Sequence, residues 1–133
     1  MRILHLSTSD TGGGAARAAY RLHTGLRRLG LASTMLVLKR QSGDGDVAKV
    51  RFFDDLPTRF RRKRRRKHIA NDFAPYKRTL PAGFEWYSDD RSETAYDLHR
   101  QLPPCDLINL HWVAGLIDHE MFFANLPAGV PLV

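Results

Sequence analysis

Three consecutive glycines, Gly12–Gly14, are the clearest candidate ligand site in this 133-residue chain. Glycine carries no Cβ, so the backbone of such a loop can come close to a bound group. The alanine-rich segment that follows is expected to be a helix, whose free N–H groups and dipole would attract an anion. The alternative is a tight strand-to-helix turn without a ligand. Because a turn needs fewer glycines than this, we favour a phosphate-bearing ligand.

The two familiar phosphate-binding motifs do not match this loop. It fits neither the G-x-G-x-x-G pattern of dinucleotide-binding folds nor the P-loop, which ends in Gly-Lys-Ser/Thr. After the second apolar segment stand Lys39 and Arg40, where an NAD-binding fold has an acidic residue for the ribose. One alternative stays open: an NADP-dependent enzyme that binds the 2′-phosphate through Lys39 or Arg40.

Asp10 and Thr11 come directly before the glycines. Either side chain is expected to cap the following helix, because both can accept a hydrogen bond from its free N–H groups. A carboxylate beside a phosphate would be repelled. If Asp10 contacts a ligand, we therefore expect it to accept a hydrogen bond from a sugar hydroxyl.

His111 and Trp112 end a largely apolar segment, residues 106–112. In an open parallel sheet, ligands bind at the carboxyl ends of the strands. A histidine there can hydrogen-bond a hydroxyl, and an indole can pack on the apolar face of a sugar ring. The alternative is that Trp112 belongs to the core and that His111 is a hydrogen-bonded, buried histidine.

Basic residues are concentrated in one run, Arg59–Lys67, which holds eight of the 21 lysines and arginines. Without this run 13 basic residues face 14 acidic ones, so the net charge of +7 reflects one local patch. Such a patch attracts polyanions, which leaves three interpretations: a nucleic-acid-binding domain, contact with an anionic membrane surface, or a solvated surface. Only Phe60 interrupts the run, so the interleaved aromatic residues of single-strand binders are missing.

Other catalytic and metal-binding patterns are missing. The remaining histidines lack the spacing of metal ligands, no Gly-x-Ser-x-Gly turn occurs, and we find no catalytic pair. The lone Cys105 cannot form an internal disulfide, which fits a reducing cytoplasm. No apolar run has the length of a membrane span, and the first residues lack the layout of a signal peptide.

Strands and helices are predicted to alternate along the chain. The predicted strands are residues 2–6, 33–38, 47–53, 106–112 and a last one from about Val130. The first helix should run from Ala15 to Leu29, with Gly30 at its end and a buried stripe of Ala15, Ala18, Ala19, Leu22, Leu26 and Leu29. Residues 54–86 are predicted to be irregular, with the basic run on a short helix, and Ser92 and Asp118 should start two later helices. This order predicts an α/β, Rossmann-like parallel sheet with helices on both faces.

Three segments, in their order along the chain, resemble bacterial glycosyltransferases of group 1 (family 4), which have the GT-B fold. They are RILHLS (2–7) with GGGAARAA (12–19), DLINLHWV (106–113) and LPAGVPLV (126–133). The resemblance covers most of the chain except a basic insertion at about 55–85. It implies that residues 1–133 are the N-terminal, acceptor-side domain of a two-domain enzyme, truncated before the His-Asp motif and paired glutamates of that family.

The resemblance also implies an activity. A hexosyltransferase would move a sugar, with retention of configuration and without a cofactor or metal, from a nucleotide-sugar donor to a glycan or lipid-linked acceptor in cell-surface polysaccharide synthesis. Gly12–Gly14 would bind the donor sugar and diphosphate, and Asp10, His111 and Trp112 would line the acceptor side. Most of the donor site would lie in the missing C-terminal domain, so this fragment is expected to be inactive alone. The expected location is the cytoplasm, with Arg59–Lys67 contacting the anionic inner face of the membrane.

Overall fold

The fold is built on a four-stranded parallel sheet, and the computed structural model describes residues 1–83 and 89–133. The strands are β1 (Arg2–Ser9), β2 (Ala32–Lys39), β3 (Val47–Lys49) and β4 (Leu107–Leu110). They lie in the order β3-β2-β1-β4, and each neighbouring pair is parallel. The helices are α1 (Gly14–Arg28), α2 (Leu56–Phe73), α3 (Ala95–Leu98) and α4 (His119–Ala124), with 3-10 turns at Tyr76–Arg78 and His99–Gln101. The predicted α/β, Rossmann-like fold is confirmed.

Helices cover both faces of the sheet, as predicted. Because side chains alternate along a strand, Leu4 and Leu6 of β1 point to one face and His5 to the other. On the first face, Leu98 of α3 and Phe122 of α4 pack against the leucines in the larger core. The second face is covered by α1, which contacts β1 and β2.

α1 lies where it is predicted, but it buries a different stripe. Ala16, Ala19 and His23 are buried, whereas Leu22 is 42% exposed. The reason is a polar contact: Nδ1 of His23 lies 2.8 Å from Oγ of Ser33. His23 therefore occupies the inward position that the pattern of apolar residues predicted for Leu22. Of the predicted stripe, Ala19 is buried and Leu26 half-buried, while the others are exposed: Ala15, Ala18, Leu22 and Leu29.

The segment predicted to be irregular, residues 54–86, contains an 18-residue helix, α2, which includes the whole basic run. Asp55 caps this helix by accepting a hydrogen bond from the Thr58 N–H at 3.0 Å. Pro57 stands in its first turn, where the missing N–H of proline costs no helical hydrogen bond. The last part of the predicted insertion, within residues 84–88, lies outside the described residues.

The two predicted helix starts in the second half differ. Asp118 caps α4 as predicted, and its carboxylate accepts a hydrogen bond from the Met121 N–H at 3.3 Å. Ser92 stands too far ahead to cap α3, which begins at Ala95 after Thr94. Its hydroxyl instead accepts a hydrogen bond from the Thr94 N–H at 3.1 Å, in the turn that leads into the helix.

The remaining strands lie where they are predicted, although β3 and β4 are shorter than residues 47–53 and 106–112. A single parallel bridge joins Leu132 to Ile108 of β4, close to the predicted start of a last strand at about Val130. This bridge continues the parallel pairing on the outer side of β4.

The carboxyl ends of β1, β2 and β4 meet at one edge of the sheet. The chain passes from β1 to β2 and β3 on one side and returns to β4 on the other, so the strand order reverses between β1 and β4. In open α/β sheets, ligands bind in the crevice at such a reversal. The segments that follow β1 and β4, with Gly12–Gly14 and His111–Trp112, flank this reversal.

Candidate functional site

A cleft of about 570 Å³ opens at this edge of the sheet. It is bordered by the loops that follow β1, β2 and β4. Its lining residues are Ser7, Thr8, Ser9, Gly12, Gly13, Gly14, Ala15, Ala16, Lys39, Gln41 and Trp112. The cleft therefore joins the glycine loop to Trp112, which come from opposite ends of the sequence.

The three glycines of the loop differ in what they require. A Cβ on Gly12 would lie 2.9 Å from Oγ of Ser9 and 3.1 Å from Oε1 of Gln41, so a larger residue would require these two side chains to shift. Gly13 has a φ of +94° and a ψ of 175°, a conformation that only glycine adopts readily. A Cβ on Gly14 would meet no described atom within 4 Å. The turn thus needs glycine at position 13, Gly12 allows its neighbours to pack closely, and Gly14 leaves the backbone open.

The start of α1 offers unpaired hydrogen-bond donors to this cleft. The first hydrogen bond within the helix runs from the Arg17 N–H to the Gly13 carbonyl at 3.2 Å. The N–H groups of Gly14, Ala15 and Ala16 precede it and have no carbonyl partner in the helix. No side chain in the described part of the chain caps this end. These donors, with the positive end of the helix dipole, suit an anionic ligand.

Asp10 does not line the cleft, and its side chain is hydrogen-bonded to the loop that follows β2. It is completely buried, and its two carboxylate oxygens accept hydrogen bonds from the N–H groups of Gln41 and Ser42, the shortest at 2.8 Å. Burial raises the pKa of Asp10, but these hydrogen bonds outweigh it and lower the pKa overall. The predicted cap of α1 by Asp10 or Thr11 is wrong, because Gly13 holds that position. A contact between Asp10 and an acceptor sugar stays a prediction.

Trp112 and His111 are neighbours in sequence with different surroundings. Trp112 is 58% exposed and lines the cleft, so the alternative that it belongs to the core is wrong. Its carbonyl accepts a hydrogen bond from the Thr8 N–H at 2.7 Å, which fixes this segment beside the end of β1. The His111 ring turns inward, with Nε2 3.0 Å from Nδ1 of His5. His111 is thus half-buried and within hydrogen-bonding distance of His5, and a contact between it and an acceptor sugar stays a prediction.

His5 links His111 to His23 in a row of three rings. Its ring centre lies 5.2 Å from that of His111 and 6.0 Å from that of His23. Burial, together with the nearby rings of His111 and His23, lowers the pKa of His5 to about 4, and burial also lowers the pKa of both neighbours. Among the described residues, Nε2 of His5 has no hydrogen-bond partner, so protonation would bury an unsatisfied donor. Sequence patterns did not predict a role for His5 or His23, although both stand at inward positions of their elements.

The end of β2 and the loop that follows it supply two of the cleft residues, Lys39 and Gln41. Lys39 is exposed at the end of β2 and lines the cleft. Arg40 instead donates hydrogen bonds to the carbonyls of Ser42 and Asp44, at 3.2 and 2.8 Å, and closes its own loop. Gln41 was missed, although a residue that directly follows a parallel strand must lie at this edge.

α2 forms a second charged surface. Nη1 of Arg62 lies 3.1 Å from a carboxylate oxygen of Asp97, and Nε of Arg65 donates to Asp118 at 2.9 Å. Both carboxylates are buried, so these two arginines hold the helix against the domain. The basic run is therefore more than a solvated surface. Its other six basic side chains are exposed: Arg59, Arg61, Lys63, Arg64, Arg66 and Lys67.

Two kinds of feature do not occur in residues 1–83 and 89–133. No three histidine, cysteine or acidic side chains cluster as the ligands of a metal ion would. None of the helices has both the length and the apolar composition needed to cross a membrane.

No protein-family model matches this chain, and no curated protein or solved structure matches it either.

Proposed function

We propose that this chain is the N-terminal, acceptor-side domain of a nucleotide-sugar-dependent glycosyltransferase. The observation that carries the proposal is the cleft, where Gly12–Gly14, the start of α1 and the exposed Trp112 border one space. The enzyme would move a hexose from a nucleotide-sugar donor to a glycan or lipid-linked acceptor in cell-surface polysaccharide synthesis. A C-terminal domain, which the family resemblance implies, would form the other wall and hold most of the nucleotide.

The N–H groups at the start of α1 would bind the diphosphate of the donor. Gly14, Ala15 and Ala16 each contribute one donor, and the helix dipole adds positive potential. Such fixed donors would stabilise the negative charge that develops on the diphosphate as its bond to the sugar breaks. Lys39 adds a cation at the same cleft, and Trp112 offers an aromatic face on which the acceptor sugar can pack.

Gly14 allows a test of this assignment. It is the first residue of α1, a position where proline is well tolerated, so G14P removes one N–H from the cleft and leaves the helix in place. G14A is the matched control, because it retains the N–H and its Cβ would meet no described atom within 4 Å.

The measurement is a titration of the chain with uridine diphosphate and guanosine diphosphate at constant ionic strength, followed by amide NMR. We expect shifts at Gly14–Ala16 and at the Trp112 indole. G14P should bind roughly tenfold or more weakly than G14A, since a hydrogen bond to a charged group contributes about 1.5–3 kcal/mol. Equal affinity of the two variants, or shifts that leave Gly14–Ala16 unmoved, would show that this loop does not bind the diphosphate.

Lys39 lines the same cleft, so a dinucleotide with a 2′-phosphate is an alternative ligand for it. An NADP-dependent enzyme would bind NADPH more tightly than NADH, and K39Q would remove that preference. Fluorescence of the reduced nicotinamide measures both affinities. A clear preference for NADPH over the nucleoside diphosphates would replace the glycosyltransferase proposal.

We also propose that the enzyme works in the cytoplasm, beside the anionic inner face of the membrane. The support is the set of six exposed basic side chains on α2, since each basic residue near an anionic surface contributes about 1 kcal/mol. Binding to vesicles that contain anionic lipid should therefore fall as salt rises. Tighter binding to duplex DNA than to such vesicles would favour the nucleic-acid alternative.

A further inference from the structure

We propose a second anion site, a pocket for a phosphate monoester or pyrophosphate group, between α2 and the segment that leads into α3. The pocket has a volume of about 460 Å³, within the range of small-molecule sites. It is lined by Arg61, Arg64, Arg65, His68, Arg91 and Tyr96. None of these residues lines the cleft, so the inference does not depend on the proposed glycosyl transfer.

Helical spacing gathers the basic side chains on one side of α2. Its four pocket residues stand at positions i, i+3, i+4 and i+7, which lie along one face of a helix. Arg91 and Tyr96 form the opposite side, and the Arg61 guanidinium lies 5.7 Å from the centre of the Tyr96 ring. Two separate chain segments therefore converge on one cationic space.

Two of the four arginines are held in place by carboxylates. Nε of Arg65 donates to Asp118 at 2.9 Å, and Asp118 itself is buried. Arg91 donates to Asp89 at 2.8 Å and to Asp72 at 2.5 Å. Because these guanidinium groups are already ordered, binding an anion between them loses less side-chain entropy.

The other two arginines, Arg61 and Arg64, have no carboxylate partner in the part of the chain that the structure describes. Within the described residues, no carboxylate oxygen lies within 4.0 Å of Arg61 or Arg64. They stand one helical turn apart, so their positive charges repel each other. An anion between them would remove this repulsion, and the planar guanidinium matches two phosphate oxygens at once.

The guanidinium groups of Arg61 and Arg64 fit a dianion best. At neutral pH a phosphate monoester carries a charge of about −1.5 to −2 and a pyrophosphate group about −2 or more, and both leave several oxygens free, whereas a phosphodiester carries one charge and two bulky substituents. The volume also leaves room for an organic group next to the phosphate. The same group occurs on free metabolites and on lipid headgroups, so the test below includes both sources.

The test compares two double variants of the chain with the same change in charge. R61Q/R64Q removes these two pocket arginines. K63Q/K67Q removes two exposed charges from the same helix outside the pocket. Titration with sodium pyrophosphate at constant ionic strength is followed by amide NMR, and circular dichroism checks that each variant is folded. The single variant R64Q gives a second measurement if the double variant is unstable.

We expect saturable chemical-shift changes in α2 and in residues 91–96 of the unmodified chain. R61Q/R64Q should bind pyrophosphate on the order of tenfold more weakly, whereas the affinity of K63Q/K67Q should change by less than about threefold. Any shift at Gly14–Ala16 should be the same in both variants, because the cleft and the pocket share no lining residue. A second titration compares vesicles that contain phosphatidic acid with vesicles that contain phosphatidylglycerol. If the chain prefers phosphatidic acid and only R61Q/R64Q loses this preference, the pocket is supported and a lipid headgroup is the source of its phosphate. Equal weakening by both double variants, or shifts that do not saturate, would overturn the pocket in favour of diffuse attraction.

Discussion

The buried His5 should make the stability of this fold depend on pH. Its pKa is about 4 in the folded chain, against an ordinary value of 6.5. Between these values the unfolded chain binds a proton that the folded chain excludes. The contribution of His5 to stability is therefore complete above about pH 6.5 and is lost as the pH falls toward 4. Because His5 is completely buried, this shift acts without screening by solvent.

The size of the effect follows from the two pKa values. From pH 7.5 to pH 5, His5 alone should lower the free energy of unfolding by about 2 kcal/mol, and below pH 4 by roughly 3 kcal/mol. Urea unfolding at a series of pH values measures this change. The variant H5N removes the titrating ring but keeps a hydrogen-bonding group near the position of Nδ1, which faces His111.

H5N should be less stable than the unmodified chain at neutral pH, because the smaller side chain leaves a void. Its loss of stability between pH 7.5 and pH 5 should nevertheless be smaller by about 2 kcal/mol. H68N is the matched control, because it removes a histidine that is exposed on α2. If H5N loses as much stability as the unmodified chain over this range, the protonation of His5 is not what destabilises the fold.

Three further substitutions test other parts of the structure by urea unfolding and ligand titration. G13A should cost about 2 kcal/mol because the φ of +94° strains any side chain, whereas G14A should be almost neutral; equal effects would contradict the loop geometry. W112A should cost at most about 2 kcal/mol of stability, less than a fully buried tryptophan would, since Trp112 is 58% exposed, and it should weaken binding of an acceptor sugar. R62Q leaves the buried Asp97 without its partner and should cost about 3 kcal/mol; a change near zero would mean that this ion pair does not hold α2.

Local patterns predicted the first part of the fold well. The apolar run, the glycines and the alanines are contiguous in sequence, so β1, the loop and α1 could be placed without knowledge of distant contacts. The phase of α1 was wrong because only apolar residues were counted. The sheet face that α1 covers contains His5 and Ser33, and this polar surrounding makes His23 the inward residue.

The basic helix could not be predicted in the same way. A helix is recognised by apolar residues at its inward positions, but α2 has Arg62 and Arg65 there. Their partners Asp97 and Asp118 lie 35 and 53 residues further along the chain, and a local sequence pattern cannot predict such ion pairs.

The cleft was partly predictable. The rule that ligands bind at the carboxyl ends of parallel strands placed Gly12–Gly14 and Trp112 together, and it could have included Gln41. The direction of the His111 ring was beyond this rule, because it depends on a hydrogen bond to His5 on another strand. Strand order brings residues to an edge of the sheet, whereas side-chain contacts decide which of them face a ligand.

The attachment of α2 also sets an order of events during synthesis. Both carboxylates that hold the helix come later in the chain, Asp97 within α3 and Asp118 at the start of α4. A ribosome releases Arg62 and Arg65 before either partner exists. Until residue 97 has emerged, neither arginine has its carboxylate partner, and Arg65 stays without one until residue 118, so any anion nearby, ribosomal RNA included, competes for the basic run. Docking of α2 is therefore one of the last steps in the assembly of this domain.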